Sequence, residues 1–176
     1  DGATGENRLA DLKRAAKLAE KNKRSDGYSF WIALATEQAH QNLCEDAVKS
    51  AYHGLSLYKK HSESLIGVVP VSYNGAPSAL ADKGKLKEAE KLLKDSVDIV
   101  DSVDSVNTKY SEQSYKVTKQ LVQLYVFYVE TNQQKLALDT LDQILKFKQR
   151  ELEAMGFSSG LQKILSYARI PSNCKD

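Results

Sequence analysis

The chain has 176 residues, with 25 basic and 23 acidic side chains and a formal net charge of +2. This length suffices for a single domain with its own hydrophobic core, and the charge balance gives no bulk attraction to nucleic acid or to an anionic membrane. Nine glycines and three prolines exclude collagen-like and Pro/Gly-rich disordered classes, and two cysteines exclude a disulfide scaffold.

Helical periodicity dominates the sequence. Apolar spacing predicts, in chain order, helices at 8–24 (with Asn7 as N-cap), 28–41, 45–60, a short helix ending at Lys83, then 85–106, 112–131, 133–155 and 160–169. Pro70 and Pro77 predict a loop or a distorted helix within 62–78. Only 66–71 resembles a strand, and Pro70 argues against it. We therefore expect an all-α fold.

Targeting and membrane signals are weak. The longest nearly continuous apolar stretch is 121–129, which is shorter than the roughly 18 residues that a spanning helix needs. The first residues, DGATGENR, lack the basic and apolar regions of an intact signal peptide. We expect a soluble protein without membrane insertion, cytoplasmic rather than exported, while a trimmed N-terminus of an exported protein stays open.

Three junctions between predicted helices share one pattern. In each, a turn-compatible residue stands five positions before an alanine: Asn42 and Ala47, Gly84 and Ala89, Asn132 and Ala137. A small side chain lets two helices approach closely, and a single helical hairpin cannot bury both of its faces. The recurrence predicts stacked antiparallel hairpins forming an α-solenoid. A non-repetitive helical bundle is the alternative.

These residues resemble the tetratricopeptide-repeat family. The matching patterns are Trp31-x2-Leu34-Ala35 before Asn42 and Ala47, the turn 84–90, and Leu121-x2-Leu124-x3-Tyr128-x3-Asn132-x4-Ala137. The spacing is similar to the longer repeat of about 42 residues found in kinesin light chains and many bacterial proteins. The resemblance implies one right-handed α-solenoid over 1–176, with a flanking helix at 8–24, repeats at 28–60, 70–107 (degenerate, with Pro77 in place of a small residue) and 111–156, and a capping helix at 160–170.

The resemblance also implies a binding surface. In this family the first helix of each repeat lines a concave groove that holds a peptide or a partner helix. By position, the groove residues here are Ser29, Ile32, Thr36, Ala39 and His40 in the first copy, Val71, Asn74, Ser78, Ala81 and Asp82 in the second, and Lys119, Val122, Val126, Val129 and Glu130 in the third. Ile32 and Thr36 stand where the family's carboxylate clamp needs lysine and asparagine, so we expect no such clamp. The small and aliphatic lining favours an apolar peptide or helix.

Candidate catalytic and metal motifs lack the context that their chemistry needs. Residues 156–160 match G-x-S-x-G, but a helix precedes them and all three histidines come earlier in the chain, unlike in α/β-hydrolases. His40 and Cys44 are separated by the turn at Asn42, and no further pair completes a zinc shell. The single Glu-x-x-His, at 37–40, falls short of the set that a di-iron bundle requires. We predict no catalytic residue, no cofactor and no metal.

The sequence favours a non-catalytic scaffold that binds a protein or peptide as the function. The basic residues of 8–24 are offset by acidic ones and have no aromatic residues between them, so nucleic acid is not an expected partner. A helical-bundle enzyme or enzyme subunit is the alternative. The partner and the oligomeric state are not encoded in any motif.

Overall fold

A computed structural model of the protein describes residues 2–61, 70–104 and 110–154. These ranges contain helices and turns but no strand, which confirms the expected all-α fold. The helices are α1 (Gly2–Lys21), α2 (Gly27–His40), α3 (Cys44–His61), α4 (Ala76–Asp82), α5 (Leu86–Asp104), α6 (Tyr110–Glu130) and α7 (Gln134–Ala154). The predicted strand-like residues 66–69, the G-x-S-x-G sequence and the capping helix at 160–170 lie outside the described residues.

Helix α1 differs from the prediction at its start. It begins at Gly2, so Asn7 lies inside the helix and is not its N-cap. A glycine inside a helix costs only about 1 kcal/mol relative to alanine, so Gly5 does not prevent this extension. Asp26 precedes α2 but does not cap it, because its carboxylate accepts two hydrogen bonds from the Arg24 guanidinium, at 2.9 and 2.7 Å.

The three predicted turns share one backbone geometry. Asn42, Gly84 and Asn132 adopt left-handed φ values of 64°, 74° and 57°. The next N–H in each turn donates to the carbonyl five residues earlier: Leu43 to Gln38 (2.8 Å), Lys85 to Leu80 (2.9 Å) and Gln133 to Tyr128 (2.8 Å). This is the Schellman motif, which glycine and asparagine favour because they tolerate the left-handed conformation. Each turn reverses the chain within three residues.

The alanine after each turn lies at a close helix contact. Ala47 and Ala89 are fully buried, and Ala137 is 5% exposed. The turns join α2 to α3, α4 to α5 and α6 to α7, and the helices of each pair pack against each other. Neighbouring pairs also touch, since α2 contacts α4, α3 contacts α5, and α5 contacts α6, while α1 packs on α2. The spacing of turn and alanine therefore marks three packed helical pairs.

Two apolar clusters form the core. The larger one runs through all three pairs and includes Leu55, Leu80, Leu93 and Phe127. The second joins α2 and α3 to α5 and α6 through Tyr28, Tyr58, Val100, Val117 and Leu121. Two hydrogen bonds between helices border this core, from the Tyr52 hydroxyl to Asp95 (2.6 Å) and from the Tyr128 hydroxyl to Glu90 (2.9 Å).

The second pair has an irregular start. Residues 70–75 are not helical, and α4 has only seven residues, with Pro77 in its first turn where no backbone N–H is needed. Helix α6 binds this segment: the Gln120 amide donates to the Val71 carbonyl (3.0 Å), and the Tyr73 N–H donates to the Gln123 side-chain oxygen (2.9 Å). Side chains of the third pair therefore replace the missing helical hydrogen bonds of the second.

Candidate functional site

The first helices of the three pairs end on equivalent residues. His40, Asp82 and Glu130 are the last residues of α2, α4 and α6, each stands directly before its turn, and each is exposed. Helix α2 packs on α4, and residues 70–75 before α4 contact α6. We call these three residues the inner row.

The two acids of the inner row lie near one phenol. Burial raises the pKa of the Tyr73 hydroxyl, and the Glu130 and Asp82 carboxylates raise it further. Neither α4 nor α6 has a basic residue in its last turn. A carboxylate at a helix C-terminus faces the negative end of the helix dipole and costs about 0.3–1 kcal/mol. Two acidic residues that destabilise the ends of their helices at equivalent positions are typical of residues with a role in binding.

Two predicted groove residues of the first copy lie between structural elements. Ile32 is half-buried against the core, and a Cβ atom built on Gly54 of α3 would lie 2.9 Å from its Cδ1. The Thr36 hydroxyl donates to the Ile32 carbonyl (3.0 Å) and would lie 3.3 Å from a Cβ on Gly75. Ile32 and Thr36 therefore line contacts with α3 and with the second pair, whereas His40 is open to solvent.

The predicted residues of the second copy are partly accessible. Asn74 is exposed in the turn before α4. Ser78 is half-buried, and its hydroxyl donates to the Gly75 carbonyl at 3.1 Å. Of these two, only Asn74 presents its side chain freely.

The predicted residues of the third copy form a stripe along α6. Val122 and Val129 are 38% and 47% exposed, Val126 is half-buried, and the Lys119 ammonium lies 4.5 Å from the centre of the Tyr115 ring. When the turns at Asn42 and Asn132 are aligned, the three valines correspond to Ile32, Thr36 and Ala39. These residues lie on the side of α2 that packs against its neighbours. The valines therefore lie on the stacking side of α6, beside the inner row.

Three exposed leucines on α7 were not among the predicted site residues. Leu136 is 37% exposed, Leu138 is 64% exposed and Leu145 is 42% exposed. Leu138 and Leu145 are seven residues apart and therefore lie on one side of the helix, roughly a quarter turn around from Ala137. This spacing was the available signal, because Ala137, Ile144 and Phe147 already set the core side of α7 and Leu138 and Leu145 lie outside it.

The candidate chemical motifs are engaged in structural contacts. Glu37 of the Glu-x-x-His sequence pairs with Arg8 of α1 at 3.2 Å, and Asn42 turns the chain between His40 and Cys44. Within 2–61, 70–104 and 110–154, no group of three or more His, Cys, Asp or Glu side chains could hold a metal ion.

None of the described helices combines the length and the apolar character needed to cross a membrane. No family model, no curated protein and no solved structure matches the chain. The functional argument therefore depends on the inner row, the valine stripe and the exposed leucines of α7.

Proposed function

We propose that the protein is a non-catalytic interaction scaffold, built as a right-handed α-solenoid of the tetratricopeptide type, that binds a peptide or partner helix in a concave groove. The observation that supports this proposal is the inner row, in which His40, Asp82 and Glu130 repeat one position on three first helices. Stacked helical pairs rotate slightly from one to the next, and the first helices then line an extended concave surface.

The charges of the inner row indicate the chemistry of the partner. Asp82 and Glu130 present two exposed carboxylates near the Tyr73 hydroxyl, and a lysine, an arginine or a terminal amine is their complement. A phosphate backbone would be repelled at the same place. The proposed partner is therefore a protein or peptide with a basic group, and not a nucleic acid.

A charge-neutralising variant tests this function. We expect Asp82→Asn/Glu130→Gln to lose most of the protein that the immobilised wild-type chain captures from its native host. The fold should persist, because both side chains are exposed and neutralising them removes unfavourable interactions with the helix dipoles. Mass spectrometry of the captured proteins identifies the partner.

The control variant is Glu45→Gln, which neutralises an exposed acid in the first turn of α3, away from the inner row. It should capture the same proteins as the wild type. Raising the ionic strength should weaken capture by the wild type, because exposed charges are screened by salt. Equal capture by the wild type and by Asp82→Asn/Glu130→Gln would rule out the inner row as the binding surface.

A further inference from the structure

The second helices of the three pairs, α3, α5 and α7, meet their neighbours in different ways. Helix α3 packs directly on α5, where the Tyr52 hydroxyl donates to Asp95 at 2.6 Å and the Lys91 ammonium lies 5.8 Å from the centre of the Tyr52 ring. Within the described residues, no comparable packing joins α5 and α7. The space between α5 and α7 is left as a groove.

The residues that correspond to Tyr52 and Asp95 explain this difference. When the turns before α3, α5 and α7 are aligned, Lys94 of α5 corresponds to Tyr52, and Gln143 of α7 corresponds to Asp95. The Lys94 ammonium pairs with Glu90 of its own helix at 2.7 Å, and Gln143 is exposed. The contact that closes α3 onto α5 therefore has no counterpart between α5 and α7.

The groove between α5 and α7 has a volume of about 340 Å³. Helix α6 forms its floor, since α6 packs on both of the other helices. Val97, Leu124 and Leu136, one from each helix, contribute apolar surface to the lining. Ligand pockets span roughly 300–1,000 Å³ and a helix is about 10 Å wide, so a groove of this size takes one long side chain and not a whole helix.

The charge of the groove is negative. Asp98 of α5 and Asp139 of α7 line it, and both are exposed. Neither carboxylate has an ion-pair partner in the part of the chain that the structure describes. Lys94 also lines the groove, but Glu90 balances its charge. The occupant must therefore supply a positive charge as well as an apolar surface.

An arginine side chain has both properties. Its aliphatic stem packs on apolar surface while its head stays charged. The planar guanidinium has five N–H donors that point in different directions, so it can donate to carboxylates from two helices, whereas a lysine ammonium is a compact point charge. Gln143 at the rim provides a further acceptor.

We propose that the groove between α5 and α7 is a second docking site, which takes an arginine side chain projecting from a partner protein. It lies between second helices, whereas the inner row lies at the ends of first helices. The site goes beyond the proposed function and does not depend on it.

Amide chemical shifts of the full chain, recorded by NMR during titration with N-acetylarginine N-methylamide, test the proposal. We expect saturable shifts that are concentrated at 94–98 of α5 and 136–143 of α7. The citrulline analogue has nearly the same shape but no charge, and it should bind about tenfold more weakly. The lysine analogue should also bind more weakly than the arginine probe.

Variants of exposed residues identify the groups that hold the probe. Asp98→Asn/Asp139→Asn should weaken binding about tenfold, because it removes both charges at nearly constant size. Gln143→Lys should weaken binding as well, since the new ammonium lies four residues after Asp139 and pairs with it. The control Asp82→Asn/Glu130→Gln neutralises the inner row and should leave the shifts in α5 and α7 unchanged.

Four results would overturn the proposal. They are shifts confined to the inner row, equal affinity for the citrulline analogue, equal affinity for the lysine analogue, and unchanged binding by Asp98→Asn/Asp139→Asn. The amide spectrum of each variant shows whether it keeps the wild-type fold, and Gln143→Lys provides a test that leaves both carboxylates in place.

Discussion

Helices α2 and α3 approach each other closely at Gly54 of α3. A Cβ atom at this position would lie 2.9 Å from Ile32 Cδ1 and 3.1 Å from both Ile32 Cγ1 and the Tyr28 carbonyl oxygen. The end of the Ile32 side chain can rotate, but the Tyr28 oxygen belongs to the backbone of α2 and moves only if the helix moves. We therefore expect Gly54→Ala to push α2 and α3 apart.

The size of the effect follows from two opposing contributions. Alanine is favoured over glycine in a helix interior by about 0.8–1.0 kcal/mol. Overpacking a closely packed interface costs about 1–3 kcal/mol. The packing cost is the larger one, so Gly54→Ala should lower the free energy of unfolding by about 1 kcal/mol. For a chain of this length the melting temperature then falls by about 2–4 °C.

Urea unfolding followed by far-UV circular dichroism measures this change. The control is Gly27→Ala in the first turn of α2, where the nearest atom to the new Cβ would be 3.7 Å away, an ordinary contact. Gly27→Ala should leave stability unchanged or slightly raised. Adding Ile32→Val removes Cδ1 and should cost less in Gly54→Ala than in the wild type. A stabilised Gly54→Ala variant would refute the close approach of α2 and α3.

Two further changes test the turn after α1 and the contact between α5 and α6. Lys23 adopts a left-handed φ of 52°, a conformation that costs a residue other than glycine about 1–2 kcal/mol. Lys23→Gly should therefore raise the midpoint of thermal unfolding by a few degrees. A lower midpoint would contradict this expectation. The Lys94 ammonium and the Tyr128 hydroxyl lower the pKa of Glu90 below its ordinary 4.5. Stabilisation by the ionised carboxylate is present above that pH and is lost as the pH falls through the folded-state pKa. Glu90→Gln should therefore flatten the acid side of the pH–stability profile measured by urea unfolding, whereas an equal loss in both proteins would exclude this contribution.

The sequence predicted features that depend on local chemistry. Asn42, Gly84 and Asn132 tolerate left-handed φ values, and small alanines allow close helix contacts, so the turns were found where they were expected. The similar turn at Lys23 was not foreseen, because lysine carries no signal for that conformation.

Features that depend on distant neighbours could not be predicted in the same way. The position of Ile32 within its repeat does not show that Gly54 brings α3 against it. The hydrogen bond from the Gln120 side chain to the Val71 carbonyl joins residues 49 positions apart. From the sequence alone, a glutamine on α6 does not indicate that it binds the non-helical backbone before α4. The candidate site was therefore predicted as a set of positions, and the packing determined which of them are open.

The side-chain support of residues 70–75 by α6 affects the order in which the molecule assembles. Helix α4, with seven residues, is too short to persist alone, and the backbone before it has few partners until Gln120 and Gln123 are in place. In the pairs α2–α3 and α6–α7 both helices have at least 14 residues, so each of these pairs can nucleate independently, because repeat proteins begin folding at whichever unit is locally stable. The middle pair then forms last, after both neighbouring pairs have folded. Unfolding of α6 would remove the hydrogen bonds that join Gln120 and Gln123 to residues 70–75. Unfolding that begins in the third pair therefore extends to the second pair.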